Sequence, residues 1–107
     1  MRNATISQFA AAVADGATVI DVREPYEYVG GHVPGARLIP MGQLPSRLQE
    51  IDQRRTVYVI CASGNRSRAM ADYLAGAGFD ARTVDGGMSA WTQSGRPVVL
   101  GTRANAA

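Results

Sequence analysis

The chain has 107 residues, with 46% hydrophobic and 19% charged side chains. That is the size and composition of one folded domain with a single core, and not of a disordered segment. Its single cysteine (Cys61) rules out an internal disulfide, a Cys-x-x-Cys redox pair and a multi-cysteine zinc site. Its single histidine (His32) rules out a histidine-rich metal cluster, and no metal is expected. All eleven basic residues are arginine, so lysine Schiff-base chemistry and a Gly-Lys-Ser/Thr phosphate loop are excluded as well.

The net charge of +2 is dispersed. Arg54-Arg55 and Arg66-Ser67-Arg68 are its densest basic spots, too few for a nucleic-acid footprint. No apolar run reaches the length of a membrane span, and the start lacks the apolar middle of a secretory signal, so neither nucleic acid nor membrane is an expected partner. A cytoplasmic protein is expected.

In chain order, Ser7 is placed to cap a short helix through FAAAVA, with Gly16 as its stop. TVIDV (18–22) is an apolar, β-branched run that ends in a charged cluster, Asp21 to Glu24, as a buried strand does where it meets polar work. Pro25 suits the first turn of a helix through PYEYVG. Gly30, Gly31, Pro34 and Gly35 make a loop, and ARLIP (36–40) reads as a strand. QLPSRLQEI (43–51) carries Leu44, Leu48 and Ile51 at helical spacing. TVYVI (56–60) is the clearest strand signal. It runs into CASGNRS and then a helix over 67–78, with Met70, Tyr73, Leu74 and Ala77 as its buried face. A strand ends near Val84, GGMSAWTQSG is a further short helix anchored by Trp91, PVVLG is a last extended piece, and 101–107 is a loose tail. Strands and helices alternate throughout. This predicts an α/β domain with a parallel sheet covered on both faces and a ligand site beyond the carboxyl ends of its strands. The whole chain is one domain, with its core over about 5–100.

Cys61 stands at the end of an apolar strand and opens a tight polar loop, Ala62, Ser63, Gly64, Asn65, Arg66 and Ser67. Gly64 and Asn65 readily take positive φ, so the loop can turn its amides inward as an anion nest. The helix that follows adds its first N–H groups and the positive end of its dipole. A sulfur held there is favoured as thiolate, with a pKa falling from about 8.5 toward roughly 6. The nucleophile is then ready without an adjacent base. The same cradle suits a persulfide, whose outer sulfur is also anionic. The alternative is a buried cysteine acting as a small hydrophobe, which its polar, glycine-containing loop argues against.

CASGNRS matches the Cys-x-x-Gly-x-Arg-Ser loop of the rhodanese-like, single-domain sulfurtransferases. DVREPYEYVGGHVPGA (21–36) resembles that family's Asp-Val-Arg-Glu and Gly-His-Ile-Pro-Gly-Ala segment, with Val33 in the Ile place. GGMSAW (86–91) resembles its Gly-Gly-x-x-Ala-Trp segment. The resemblance implies a five-stranded parallel sheet flanked by helices on both faces. It also implies transfer of a sulfane sulfur from a donor such as thiosulfate, through a Cys61 persulfide, to a thiophilic acceptor. That acceptor is cyanide, a thiol or a sulfur-relay protein; it must be external, because no second cysteine is present. No cofactor is implied. The related phosphatase domains carry a Cys-x5-Arg loop. Here Arg66 makes it Cys-x4-Arg and Ser67 stands where the phosphatase arginine would, so the pocket suits one sulfur rather than a phosphate.

The remaining expectations concern single side chains. Arg66 either forks onto an anionic donor or braces the loop against a carboxylate. Ser67 either donates to the sulfur or caps the 67–78 helix, and capping is favoured. Asp21, Arg23 and Glu27 are read as a structural ion-pair network, with Arg23 also able to draw in a donor. The resemblance implies that the loop of His32 is a structural turn, and Trp91 is expected in the core. The competing function is a non-catalytic rhodanese-like recognition or regulatory module.

Overall fold

In the computed structural model, which describes residues 2–105, the sheet has five strands in the order β1-β5-β4-β2-β3, all parallel. The elements follow one another as β1 (Asn3–Ala4), α1 (Ile6–Ala14), β2 (Thr18–Asp21), α2 (Pro25–Val29), β3 (Arg37–Leu38), β4 (Val57–Ile60), α3 (Asn65–Gly76), β5 (Ala81–Val84) and α4 (Gly87–Gln93). Two short 3₁₀ helices, Met41–Ser46 and Leu48–Glu50, lie between β3 and β4.

The alternation of side chains along β4 sorts the core into two layers. Val57 and Val59 face Leu44, Ile51, Ala71, Leu74 and Phe79, contributed by the 3₁₀ stretch, α3 and the turn that follows it. Tyr58 and Ile60 face Phe9, Tyr28, Met88 and Trp91, contributed by α1, α2 and α4. A sheet buried on both faces needs such near-continuous apolar strands, which is why TVYVI carries the clearest signal. Phe9 and Trp91 meet edge to face at 5.4 Å between ring centroids, and the indole Nε1 donates to the Pro97 carbonyl at 2.8 Å.

Several local expectations are corrected. The cap of α1 is Thr5, not Ser7: Thr5 accepts from the Gln8 amide while the Gln8 side chain accepts from the Thr5 amide. This reciprocal box needs a Gln or Glu three residues on, which Thr5 has and Ser7 lacks. Residues 43–51 do not form an α-helix. Pro45 sits inside the first 3₁₀ helix, where it cannot donate an i→i−4 bond, although Leu44 and Ile51 are buried as their spacing requires. Helix α3 starts at Asn65, and its buried face is Ser67, Ala71 and Leu74; Met70 is only half-buried, and Tyr73 and Ala77 are exposed.

The fifth strand is β1 at the amino terminus. PVVLG contributes only an antiparallel bridge between Val99 and His32. Within the described residues the tail is tied down rather than loose: the Arg103 carbonyl meets His32 Nε2 at 2.6 Å and the Ala104 carbonyl accepts from the Gly35 amide at 2.8 Å. Residues 106 and 107 lie outside the described residues. Among those described, no helix is long and apolar enough to cross a membrane.

Candidate active site

Strand β4 is central, paired with β2 on one side and β5 on the other. Cys61 follows its last residue and so emerges at the carboxyl edge of the sheet, between the ends of both neighbours. The chain then turns through Ala62, Ser63 and Gly64, with Gly64 at φ +113° as the N-cap of α3. That conformation is open to glycine and costly to other residues, and it lets the loop curl back over its first side chain.

The sulfur sits on the floor of this loop, with Cys61 only 1% exposed. The Gly64 amide donates to Sγ at 3.1 Å and the Ser67 amide at 3.3 Å. The Ser67 hydroxyl lies 3.5 Å from Sγ. The first-turn amides of α3, Asn65 and Arg66, have no acceptor among the described residues, as expected of a helix start. The loop thus presents converging donors and the positive end of a three-turn helix to one atom. Burial opposes ionisation of the thiol. The hydrogen bonds from Ser67, through both its side chain and its amide, and from the Gly64 and Ser63 amides outweigh it, so the thiol is held below its ordinary value.

Ser67 is therefore not the helix cap. It occupies the third position of α3, fully buried, and its hydroxyl reaches Gly64 O at 3.2 Å and Thr83 Oγ1 at 2.7 Å. Capping falls instead to the Gly64 backbone. Ser63 and Asn65 are exposed.

Arg66 forks onto Glu27, with Nη1 to Oε1 at 2.7 Å and Nη2 to Oε2 at 3.0 Å. It ties the loop to α2. Asp21 and Arg23 form a second, separate pair, buried and bidentate, and Arg23 Nη2 also donates to the Gly31 carbonyl at 2.8 Å. The expected network of Asp21, Arg23 and Glu27 is thus two pairs, with Glu27 belonging to the loop. His32 is buried, stacks on Tyr28 with ring centroids 3.6 Å apart, and bonds the Tyr28 and Arg103 carbonyls.

Helix α4 holds the loop from behind. The Met88 amide donates to Cys61 O at 2.8 Å and the Ser89 amide to Ala62 O at 3.1 Å. Gly87, at φ +55°, allows this approach; a Cβ there would press into the Cys61 carbonyl oxygen and lie 2.8 Å from Ala62 O. A cleft of about 270 Å³ opens beside the loop, lined by Arg23, Glu27, Ala62, Met88, Ser89 and Val98 among others.

A strand-loop-helix that folds its amides over a terminal cysteine, braced from a second helix by Gly-Gly, agrees with what comparison finds. The sequence profile described as the rhodanese-like domain matches residues 5–94. The chain belongs to the rhodanese-like family. This rhodanese-like chain is 37% identical over 78 residues to the thiosulfate sulfurtransferase GlpE of Pseudomonas putida, an alignment covering 72% of this chain and 71% of that protein. It resembles a rhodanese-related protein of Thermoplasma volcanium with a TM-score of 0.88 and 33% identity, over 94% of this chain and 99% of the other. A rhodanese-like domain protein of Staphylococcus aureus superposes with a TM-score of 0.80 and 34% identity, over 85% and 91% of the two chains.

Two features of this rhodanese-like site carried too little sequence signal to be singled out. Thr83 is a buried polar residue on β5, a strand that also carries Arg82, and its local sequence gives no sign that it faces another hydroxyl. The Glu27–Arg66 pair joins residues 39 apart, a pairing that becomes evident only once β2 and β4 lie side by side.

That pair has a measurable pH signature. Arg66 lowers the Glu27 carboxyl to about 2, against burial, which alone would raise it. A carboxyl depressed on folding adds stability that is present above its unfolded value of 4.5 and lost as pH falls through its folded value. Glu27→Gln is therefore expected to melt below wild type at neutral pH. The gap should narrow between about pH 4.5 and pH 2 and close below that, as followed by thermal denaturation at a series of pH values. A gap that stays constant across this range would refute the brace.

Proposed function

We propose that this chain is a sulfurtransferase that moves a sulfane sulfur from an anionic donor of the thiosulfate type to an external thiophilic acceptor through a persulfide on Cys61. The observation that carries the proposal is the convergence of the Gly64 and Ser67 amides and the Ser67 hydroxyl on one buried sulfur. The likeness to a thiosulfate sulfurtransferase along most of the chain supports it.

The Cys61 thiolate attacks the outer sulfur of thiosulfate. A bond forms between Sγ and that sulfur while the donor S–S bond breaks, and sulfite leaves with the electron pair. The persulfide Cys–S–S⁻ has the same single negative charge as the thiolate it replaces, so the same amides serve both states. An acceptor such as cyanide or a thiolate then attacks the outer sulfur. The bond to Sγ breaks and the pair returns to Cys61, restoring the thiolate. This is ping-pong covalent catalysis. With one cysteine in the chain, no internal thiol can intercept the persulfide, so the acceptor is a separate small molecule or protein. Arg66, held by Glu27 and close enough to Cys61 to feel its charge, adds positive potential at the loop without leaving its brace. A cytoplasmic setting, where thiols are kept reduced, suits a nucleophile of this kind.

Mass spectrometry of the protein after incubation with thiosulfate is the test. Cys61 should gain the mass of one sulfur atom, and cyanide should remove it. A protein that stays unmodified under these conditions would instead be a non-catalytic recognition module.

A further inference from the structure

Ser67 has one proton and three neighbours that could take it. Its hydroxyl lies 3.5 Å from Cys61 Sγ, 3.2 Å from Gly64 O and 2.7 Å from Thr83 Oγ1. All of this is buried, with Thr83 4% exposed and Ser67 not exposed at all. Which neighbour receives the proton decides whether the hydroxyl helps or opposes an anionic sulfur. We propose that Thr83 is a positioning residue for the Cys61 thiolate: its hydroxyl donates to Ser67 Oγ and thereby directs the Ser67 proton to the sulfur.

A hydroxyl donates once and can accept twice. While the sulfur is a thiol, it can donate to Ser67 Oγ, and Ser67 can donate to Gly64 O. Once the sulfur is a thiolate that donor is gone, and the favourable arrangement turns the Ser67 proton onto the sulfur. Ser67 Oγ then needs a donor of its own. Thr83 supplies one, because its hydroxyl has no partner but Ser67 among the described residues. Gly64 O loses nothing in the exchange, since it also accepts from the Arg68 amide at 3.1 Å. Thr83 is fixed in turn by the sheet: its amide donates to Arg2 O at 2.7 Å, and β5 pairs with both β4 and β1. The result is a relay of two hydroxyls behind the nucleophile, one on α3 and one on β5. Among the charged groups nearby, Arg66 pairs with Glu27, Arg23 with Asp21 and Arg2 with Asp72. Arg2, Asp72 and Arg68 line a hollow beside Thr83, and none of these side chains hydrogen-bonds either hydroxyl among the described residues.

This inference rests on Cys61 acting as a thiolate nucleophile, as in the function proposed above. Alkylation of Cys61 by iodoacetamide reads the thiolate without requiring sulfur transfer, so the two can fail separately. Because the chain has one cysteine, the rate reports a single group. Thr83→Val keeps shape and removes the hydroxyl. It is expected to shift the pH profile of alkylation upward and to slow the reaction at neutral pH by about three- to tenfold, the worth of one hydrogen bond. Thr83→Ser should restore the wild-type profile. If the valine variant does not fold, Thr83→Ala carries the same expectation. In a Ser67→Ala background, removing the Thr83 hydroxyl should no longer move the profile. An unchanged profile in a folded Thr83→Val or Thr83→Ala protein would overturn the proposal, and so would an equal shift with Ser67 absent.

Discussion

Replacing Cys61 with serine is expected to lower turnover of thiosulfate and cyanide to thiocyanate by on the order of 10⁴-fold or more, since the change removes the atom on which the intermediate forms. The fold should survive. A serine oxygen can accept from the Gly64 and Ser67 amides that now face the sulfur, and it fills slightly less space in a layer built mainly by larger side chains such as Leu74, Phe79 and Ile39. The melting temperature should therefore stay close to that of wild type while activity disappears. The pH profile of wild-type kcat/KM supplies the complementary measurement. Its rising limb should have a midpoint below the ordinary thiol value, in the direction set by the Ser67, Gly64 and Ser63 donors. Substantial turnover by Cys61→Ser would remove the basis for the proposed chemistry.

Gly87→Ala is expected to disable the site from a position that never touches the sulfur. The residue sits at φ +55°, and an added Cβ would run into the Cys61 carbonyl and lie 2.8 Å from Ala62 O. Two costs combine. Left-handed backbone disfavours alanine by about 1–2 kcal/mol, and the clash with backbone atoms is relieved only if α4 and the loop separate. Separation breaks the bonds from Met88 N to Cys61 O and from Ser89 N to Ala62 O. The expected outcome is a loss of about 2–4 kcal/mol in stability by urea denaturation, in the upper range for single substitutions. A thiol that alkylates like free cysteine should accompany it. Gly95→Ala is the control. Gly95 also has positive φ, +77°, but nothing lies within 4 Å of its added Cβ. That substitution should cost only the backbone term and leave the thiol unchanged. Equal effects from the two would show that the loop does not depend on close approach by α4.

Residue order alone determined the elements whose chemistry is local. Val57 to Ile60 form a strand because β-branched and apolar side chains fill both faces of a buried sheet. Cys61 through Gly64 turn from β4 into α3 because Gly64 supplies the left-handed conformation at the start of that helix. From these, together with three family motifs in order, come the α/β class, the position of the proposed nucleophile and a loop that turns its amides toward it. Local rules misjudged places where a neighbour in sequence competes with the pattern. Pro45 turned a helical spacing into 3₁₀ turns, and Gln8 moved the cap of α1 from Ser7 to Thr5.

Only the tertiary structure decided the partnerships. Asn3 and Ala4 are too short to signal a strand, and they become one because β5 presents a free edge to them. Arg66 could have met a donor or a carboxylate. The parallel pairing of β2 with β4 carries Glu27 to it, so it meets the carboxylate. Ser67 reads as a cap until α3 packs on β5 and turns its hydroxyl between the sulfur and Thr83. Side-chain type states what a group is able to bond. Which of its possible partners comes within hydrogen-bond distance depends on how the strands are ordered, and contacts between residues far apart in sequence set that order.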